Sequence, residues 1–246
     1  MTRLSVNVNK VATLRNTRTH GLPSVVKAAR LCLDAGAHGI TVHPRPDQRH
    51  IRPHDVYEIA ELLKEYPGAE YNIEGNPFHH FLEFAERVRP TQCTLVPDSP
   101  EAFTSNQGWD LRSQGERLRP LIDALHACNC RVSVFLDPVP EQIELAPGLG
   151  ADRIELYTEP FAAAFARGEA DTALARYAAA ARRARDLGLG VNAGHDLSLD
   201  NLGPFLDAIP FTDEVSIGHA LVADALEFGL PEAVRKYLAL AGGRGE

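Results

Sequence analysis

Eight short runs of β-forming residues recur along the chain, and a helix-length amphipathic segment separates most of them. This alternation predicts parallel strands joined by helical crossovers, because strands that run the same way need long connections. Eight such units in 246 residues have the size of a single (β/α)8 TIM barrel, an α/β fold, here with a few extra helices. The predicted strands are residues 4–7, 39–43, 71–74, 92–96, 131–135, 153–156, 190–192 and 215–219.

The rhythm of strands and helices is unbroken, and no linker rich in Ser, Gly or Pro divides it. We therefore expect residues 1–246 to form one catalytic domain. The hydrophobic content of 44% supports a sizeable core, and the net charge of −8 argues against a nucleic-acid or anionic membrane partner. This charge does not argue against small anionic substrates, because local cations bind phosphate even in acidic proteins. No signal peptide or membrane-spanning run is visible, which predicts a cytoplasmic protein.

The connections between strands are predicted to be helical, with one exception. Helices are predicted over residues 23–35, 54–66, 77–88, 112–128, 140–146, 159–167, 169–187, 198–208, 220–228 and 231–240. After the fourth strand, a polar loop of about fifteen residues comes first, which is unusual in a compact domain. Its position after a barrel strand favours a lid over a tolerated surface insertion. The extra helix at 159–167 and the first strand are our expected subunit contacts.

The four cysteines do not suggest a disulfide framework in a chain of this length. Cys128 and Cys130 lack a second pair at zinc-binding spacing, and Cys93 lies inside a strand, where a small buried hydrophobe is expected. The sequence has no GxGxxG or Walker-type loop and no His-x-His pair after a strand. We therefore expect no catalytic metal, no nucleotide and no other cofactor.

Three predicted strands end on side chains that transfer protons. His43, Glu74 and His195 follow the second, third and seventh strands, and the carboxyl ends of barrel strands share one rim. Histidine titrates near neutrality, and a glutamate can join it in acid–base catalysis if its surroundings raise its proton affinity. If its surroundings do not raise its proton affinity, Glu74 stays ionised and only orients the substrate electrostatically. Each residue alone reads more simply as a structural hydrogen-bonding group, but their equivalent positions favour catalysis.

The segment after the second strand is dense in cations. Arg45, Arg49 and His50 follow His43, and two prolines stiffen the chain between them. Guanidinium groups bind phosphate through paired hydrogen bonds. We therefore expect an anion site here, with a solvated charged loop as the alternative.

A second anion site is predicted where the first and eighth strands end. The first strand leads through Asn7 into a segment with three cations, Lys10, Arg15 and Arg18. The eighth strand ends near Gly218 and passes directly into a helix, whose first backbone N–H groups are free to bind phosphate. Loops after the seventh and eighth strands are the usual phosphate site of this fold. The pattern predicts two anionic groups on either side of a cluster of acids and bases.

The same segments resemble the pyridoxine 5′-phosphate synthase family, in the same order and at compatible spacing along the whole chain. They are residues 6–18 (VNVNKVATLRNTR), 39–51 (GITVHPRPDQRHI), 72–74 (NIE), 95–97 (LVP), 191–195 (VNAGH) and 217–220 (IGHA). The resemblance implies condensation of 1-deoxy-D-xylulose 5-phosphate with 3-amino-2-oxopropyl phosphate. The products would be pyridoxine 5′-phosphate, phosphate and water, in vitamin B6 biosynthesis. It also implies a homo-octamer.

The resemblance assigns roles to individual residues. It makes His43 and Glu74 proton acceptors and His195 a proton donor. The residues implied to hold the deoxyxylulose phosphate are Arg45, His50 and Thr104. Those implied to hold the aminoketone phosphate are Asn7, Arg18, Asp196, Gly218 and His219.

Two places depart from the family pattern. Asn9 and Lys10 stand where many members have Asp-His, which alters the charge beside the deoxyxylulose phosphate, and both are kept as substrate-binding candidates. Asp196 stands where many members have Gly. A contact that depends on the φ freedom or small size of glycine is therefore in doubt.

Two alternatives from other classes stay open. A barrel isomerase or epimerase acting on one sugar phosphate would use His43 and Glu74 as a two-base pair and would need one phosphate site. A non-catalytic barrel that binds phosphometabolites would keep the arginines but would not need His43, Glu74 and His195 together.

Overall fold

The computed structural model describes residues 1–79, 81–98 and 105–242. Within these ranges, eight parallel strands close into a barrel in which each strand pairs with its neighbours in the chain and the last pairs with the first. They are β1 (Arg3–Asn7), β2 (Gly39–Val42), β3 (Glu70–Gly75), β4 (Gln92–Leu95), β5 (Arg131–Leu136), β6 (Arg153–Tyr157), β7 (Gly190–Gly194) and β8 (Glu214–Ile217). The predicted barrel is confirmed, and strand ends differ from the prediction by at most two residues.

Helices surround the barrel and cover its outer face. In the described ranges they are α1 (Asn9–Asn16), α2 (Val25–Asp34), α3 (Pro53–Leu63), α4 (Phe81–Val88), α5 (Leu111–Ala127), α6 (Pro140–Ile143), α7 (Glu159–Ala166), α8 (Ala170–Asp186), α9 (Leu202–Ala208), α10 (His219–Phe228) and α11 (Leu230–Gly242), with a 3-10 turn at Pro147–Leu149. The extra helix predicted at 159–167 is present as α7. No helix of the described part is long and apolar enough to cross a membrane.

Several predictions about helices differ from the structure. Helix α9 begins at Leu202 rather than at residue 198, and α6 ends at Ile143 rather than at residue 146. The first crossover contains an additional helix, α1, which is polar and buries only three of its residues, so that its apolar stripe is too short to stand out. Helix α4 begins at Phe81 rather than at residue 77. The reason is a turn at Asn76, whose side-chain oxygen accepts a 3.0 Å hydrogen bond from the backbone N–H of Phe78.

The inner face of the barrel is polar at mid-height. Ser5 and Thr41 share a 2.6 Å hydrogen bond, Asn72 donates to Thr41 over 3.4 Å, and Thr94 donates to Asn72 over 3.1 Å. These four residues lie on β1 to β4 and form a belt of hydrogen bonds across the strands. Side chains alternate between the two faces of a strand, so two residues beyond Asn72 the chain again points inward, at Glu74. The belt therefore supports the site from below.

All four cysteines are free, and Cys93 is fully buried within β4, as its sequence context predicted. Among the described residues, no group of His, Cys, Asp or Glu side chains is arranged to hold a metal ion.

Candidate active site

Strands β1, β2 and β3 bring three of the predicted residues together at the carboxyl end of the barrel. The side-chain nitrogen of Asn7 lies 3.5 Å from one oxygen of Glu74. The side-chain oxygen of Asn7 accepts a 2.9 Å hydrogen bond from the backbone N–H of Asn9. The side-chain oxygen of Asn9 in turn accepts a 2.9 Å bond from the backbone N–H of His43. A continuous chain of contacts thus links Glu74 to His43. Within this chain of contacts, Asn9 positions the backbone of His43.

Glu74 is buried, with 4% of its surface exposed, and its second oxygen lies 3.5 Å from the hydroxyl of Ser216 on β8. Burial raises the pKa of Glu74 to about 8, and the charges of Asp98 and Glu214 add to the shift. The condition for proton transfer by Glu74 is met, because a carboxyl group with this pKa exchanges protons near neutral pH.

Glu155 on β6 is a second buried carboxyl group in the barrel, and the sequence reasoning missed it. Burial raises its pKa well above the ordinary value, and the charge of Glu74 is the next cause. Its Oε2 has no hydrogen-bond partner among the described residues. A Cβ added to Gly194 would lie 2.5 Å from Oε1, so glycine at that position leaves room for the carboxyl group. The available signal was a glutamate inside a buried strand run, at a position whose side chain faces inward.

His195 follows β7 in a strained backbone conformation. Its φ is +84°, a region that residues other than glycine rarely adopt and that is concentrated at functional sites. Its ring packs on the rings of Phe135 and Tyr157, with centroid distances of 4.9 and 5.5 Å. Burial lowers the pKa of His195, while Asp196 and Asp98 partly oppose the shift. The Nδ1 atom is buried and has no hydrogen-bond partner in the described part of the chain.

Thr158, directly after β6, holds this turn and was also missed from the sequence. Its hydroxyl lies 2.5 Å from the carbonyl oxygen of Gly194 and 2.6 Å from that of His195, and the residue is fully buried. Asn201 donates a 3.0 Å hydrogen bond to the carbonyl of Asp196, whose φ is +58°. The aspartate thus adopts the left-handed conformation that glycine would favour, so the backbone geometry at this departure from the family pattern does not require glycine.

His43 and His50 lie side by side, with ring centroids 5.9 Å apart. Burial is the main cause that lowers the pKa of each to about 3, and neighbouring positive charge, including that of Arg45, adds to it. Both imidazoles are therefore neutral at pH 7. The Nδ1 atom of His50 accepts a 3.0 Å hydrogen bond from the backbone N–H of Ile51, which leaves Nε2 to carry the proton.

Arg15, predicted as part of an anion site, has another role. Its guanidinium forms a bidentate ion pair with Asp55, with one contact of 2.9 Å, and the two side chains are 8% and 2% exposed. It also donates a 3.2 Å hydrogen bond to the carbonyl oxygen of His50. The expectation that Arg15 binds an anion is corrected, because this buried pair instead fixes the segment that carries His50.

The other predicted substrate-binding residues at the rim are more exposed to solvent. Lys10, Arg18, Asp196 and His219 are exposed, and Gly218 is partly buried. A Cβ on Gly218 would come within 3.0 Å of Asn7, so the glycine allows the ends of β1 and β8 to approach closely. Thr104, together with the rest of residues 99–104 in the predicted lid, lies outside the described residues.

The fold is similar to that of a solved tryptophan synthase from M. tuberculosis, with a TM-score of 0.68 over 98% of this chain and 92% of that one. At 12% identity this likeness concerns the fold alone.

Sequence comparison is far more specific. Residues 4–242 match the family described as "Pyridoxal phosphate biosynthesis protein PdxJ". A pyridoxine 5′-phosphate synthase of Albidiferax ferrireducens is 55% identical over 249 residues, which cover 99% of each chain. One of Porphyromonas gingivalis is 52% identical over 237 residues, covering 96% of this chain and 98% of that one. These matches show that the chain belongs to the PdxJ family of pyridoxal phosphate biosynthesis proteins.

Proposed function

We propose that the mouth of this barrel condenses 1-deoxy-D-xylulose 5-phosphate with 3-amino-2-oxopropyl phosphate to give pyridoxine 5′-phosphate, phosphate and water. Family membership, with relatives 52–55% identical over nearly the full length, assigns the chain to vitamin B6 biosynthesis as an enzyme. The observation that carries the assignment of the site is Glu74, a buried carboxyl group with a pKa of about 8 in contact with Asn7 at the rim.

The chemistry requires repeated proton transfer. The substrate amine attacks a ketone, and the resulting carbinolamine loses water, a step that needs an acid. Enolisation and loss of phosphate need a base at carbon, and aromatisation needs further shuttling. We assign proton acceptance to His43 and Glu74 and proton donation to His195, with Glu155 as a neutral acid deeper in the barrel.

The negative charge of the substrates would support the proton-transfer roles of His43 and His195. His43 and His195 have lowered pKa values in this structure, so each is a weak proton acceptor at neutral pH. A phosphate dianion nearby favours the imidazolium form and raises the pKa of an imidazole. Binding of the two phosphates would therefore bring both histidines towards the pKa that general catalysis needs.

We place the two phosphates on either side of β1. Arg45 and His50, after β2, would hold the sugar phosphate, together with Asn9, Lys10 and Thr104. The start of α10 would hold the aminoketone phosphate through Gly218 and His219, since the first N–H groups of a ten-residue helix bind anions. Asn7, Arg18 and Asp196 complete that second set.

We further propose that the chain acts as one catalytic domain in the cytoplasm and, from the family resemblance, that it assembles as a homo-octamer. Sedimentation equilibrium of the purified protein measures the assembly, and a monomer would contradict it.

The decisive experiment is incubation of the purified protein with both phosphates, following pyridoxine 5′-phosphate by absorbance and mass. We expect product from the parent chain, and loss of product in Glu74→Gln and His43→Ala. Glu58→Gln, at an exposed position of α3, is the matched control and should retain activity. Binding of both phosphates without turnover by the parent chain would instead favour a phosphometabolite-binding barrel, and turnover of one sugar phosphate alone an isomerase.

A further inference from the structure

Arg45, the proposed ligand of the sugar phosphate, is shielded from solvent by an acidic residue. Its side chain is 3% exposed, and its Nη1 donates a 2.7 Å hydrogen bond to Oδ2 of Asp98, which is itself 5% exposed. Asp98 follows β4 and was not among the residues predicted from the sequence. Asp98 therefore occupies an N–H group of Arg45 that a phosphate would otherwise use.

Asp98 is held in place from two directions. The hydroxyl of Ser105 donates a 2.7 Å hydrogen bond to the same Oδ2 that accepts from Arg45. The side-chain amide of Asn76, after β3, donates a 2.9 Å bond to the backbone carbonyl of Asp98. The carboxylate is therefore positioned against Arg45 by both neighbouring segments, and its contact with the arginine is a built feature of the site.

The space beside the pair is too small for a phosphate. The cleft lined by His43, Arg45, Asn76 and Asp98 has a cavity volume of about 10 Å³. A cavity of this size holds about one water molecule. A phosphate group, with five non-hydrogen atoms, needs the room that the carboxylate now takes.

We propose that Asp98 is a placeholder for the sugar phosphate and a determinant of specificity. Its carboxylate keeps Arg45 oriented and neutralised until the phosphate takes over the guanidinium, which binds either anion through the same N–H groups. This inference rests on the proposed function of Arg45. Because a carboxylate and a phosphate dianion on one guanidinium repel each other, the pair must open for binding. A neutral sugar has no charge with which to open it.

The test is the affinity for inorganic phosphate, measured by isothermal titration calorimetry. Asp98→Asn removes the competing charge and should bind phosphate at least tenfold more tightly than the parent chain, a change of about 1.4 kcal/mol. Asp123→Asn, at an exposed position of α5, is the matched control and should bind like the parent. Adding Arg45→Ala to Asp98→Asn should abolish the gain.

The outcomes separate this inference from the function on which it rests. If Arg45→Ala binds phosphate as the parent does, Arg45 is not a phosphate ligand, and both statements fail. If Arg45→Ala weakens binding but Asp98→Asn does not strengthen it, the placeholder role is overturned and the proposed function stands. Should Asp98→Asn not fold, Ser105→Ala replaces it, because it removes one of the bonds that hold the carboxylate. That variant should bind phosphate severalfold more tightly, and unchanged affinity would overturn the inference.

Discussion

Replacing Thr158 with valine tests how the strained turn at His195 is maintained. Valine keeps the shape of the side chain and removes the hydroxyl, which lies 2.5 and 2.6 Å from the carbonyl oxygens of Gly194 and His195. One hydroxyl proton serves these two acceptors, and Thr158 is fully buried, so water does not replace it. A buried polar group left without its partner costs about 1–3 kcal/mol. We expect the free energy of unfolding to fall by about 2 kcal/mol, which for a chain of this size lowers Tm by roughly 4–8 °C.

The same substitution should affect catalysis more than binding. The φ of +84° at His195 persists only while the surroundings hold it, and a misplacement of about 1 Å at a catalytic group can cost about 100-fold in rate. We therefore expect kcat of Thr158→Val to fall by roughly 10- to 100-fold, with little change in KM for either phosphate, in steady-state assays of pyridoxine 5′-phosphate formation.

Two further variants make the interpretation specific. Thr158→Ser keeps the hydroxyl and should recover most of the stability and kcat, whereas Thr172→Val, at an exposed position of α8, should change neither. The reasoning is refuted if Thr158→Val retains the parent kcat, or if the serine variant is as impaired as the valine variant, because the hydroxyl would then not be the cause.

Three further changes test other parts of the site. Arg15→Met breaks the buried pair with Asp55 and should lower the free energy of unfolding by about 3–5 kcal/mol in urea denaturation, whereas full stability with weaker phosphate binding would restore Arg15 to the anion site. Asp196→Gly should keep stability within about 1 kcal/mol, since relief of the left-handed conformation offsets the entropy of glycine in the unfolded chain, and should lower the pKa of His195 further in an NMR titration. An unmoved titration would contradict the charge effect. Glu74 has a higher pKa folded than unfolded, so its contribution to stability is present below about pH 4.5 and is lost as pH rises to about 8. The free energy of unfolding of Glu74→Gln should therefore rise relative to that of the parent chain between pH 5 and pH 8. Parallel pH profiles of this free energy for the two proteins would argue against the raised pKa.

The sequence alone located the strands and the rim. Short runs of β-forming residues separated by amphipathic segments leave little choice but parallel strands with helical crossovers, and the closed barrel followed from their number. Residues at strand ends lie at one rim in such a barrel, so the sequence predicts that Asn7, His43 and Glu74 lie near one another, and the contacts at the rim agree. The missed helix α1 and the late start of α4 show where local polarity and an asparagine turn hide a boundary.

Tertiary structure decided the state of each charged group. Arg15 and Arg45 both read as phosphate-binding cations in the sequence, but each is paired with a carboxylate, Asp55 and Asp98, that lies 40 and 53 residues away. Periodicity specifies the face on which a side chain lies, whereas its partner depends on which distant segments pack against that face. The same holds for proton affinity, since the raised pKa of Glu74 comes from burial inside the barrel and from the charges of Asp98, after β4, and Glu214, on β8.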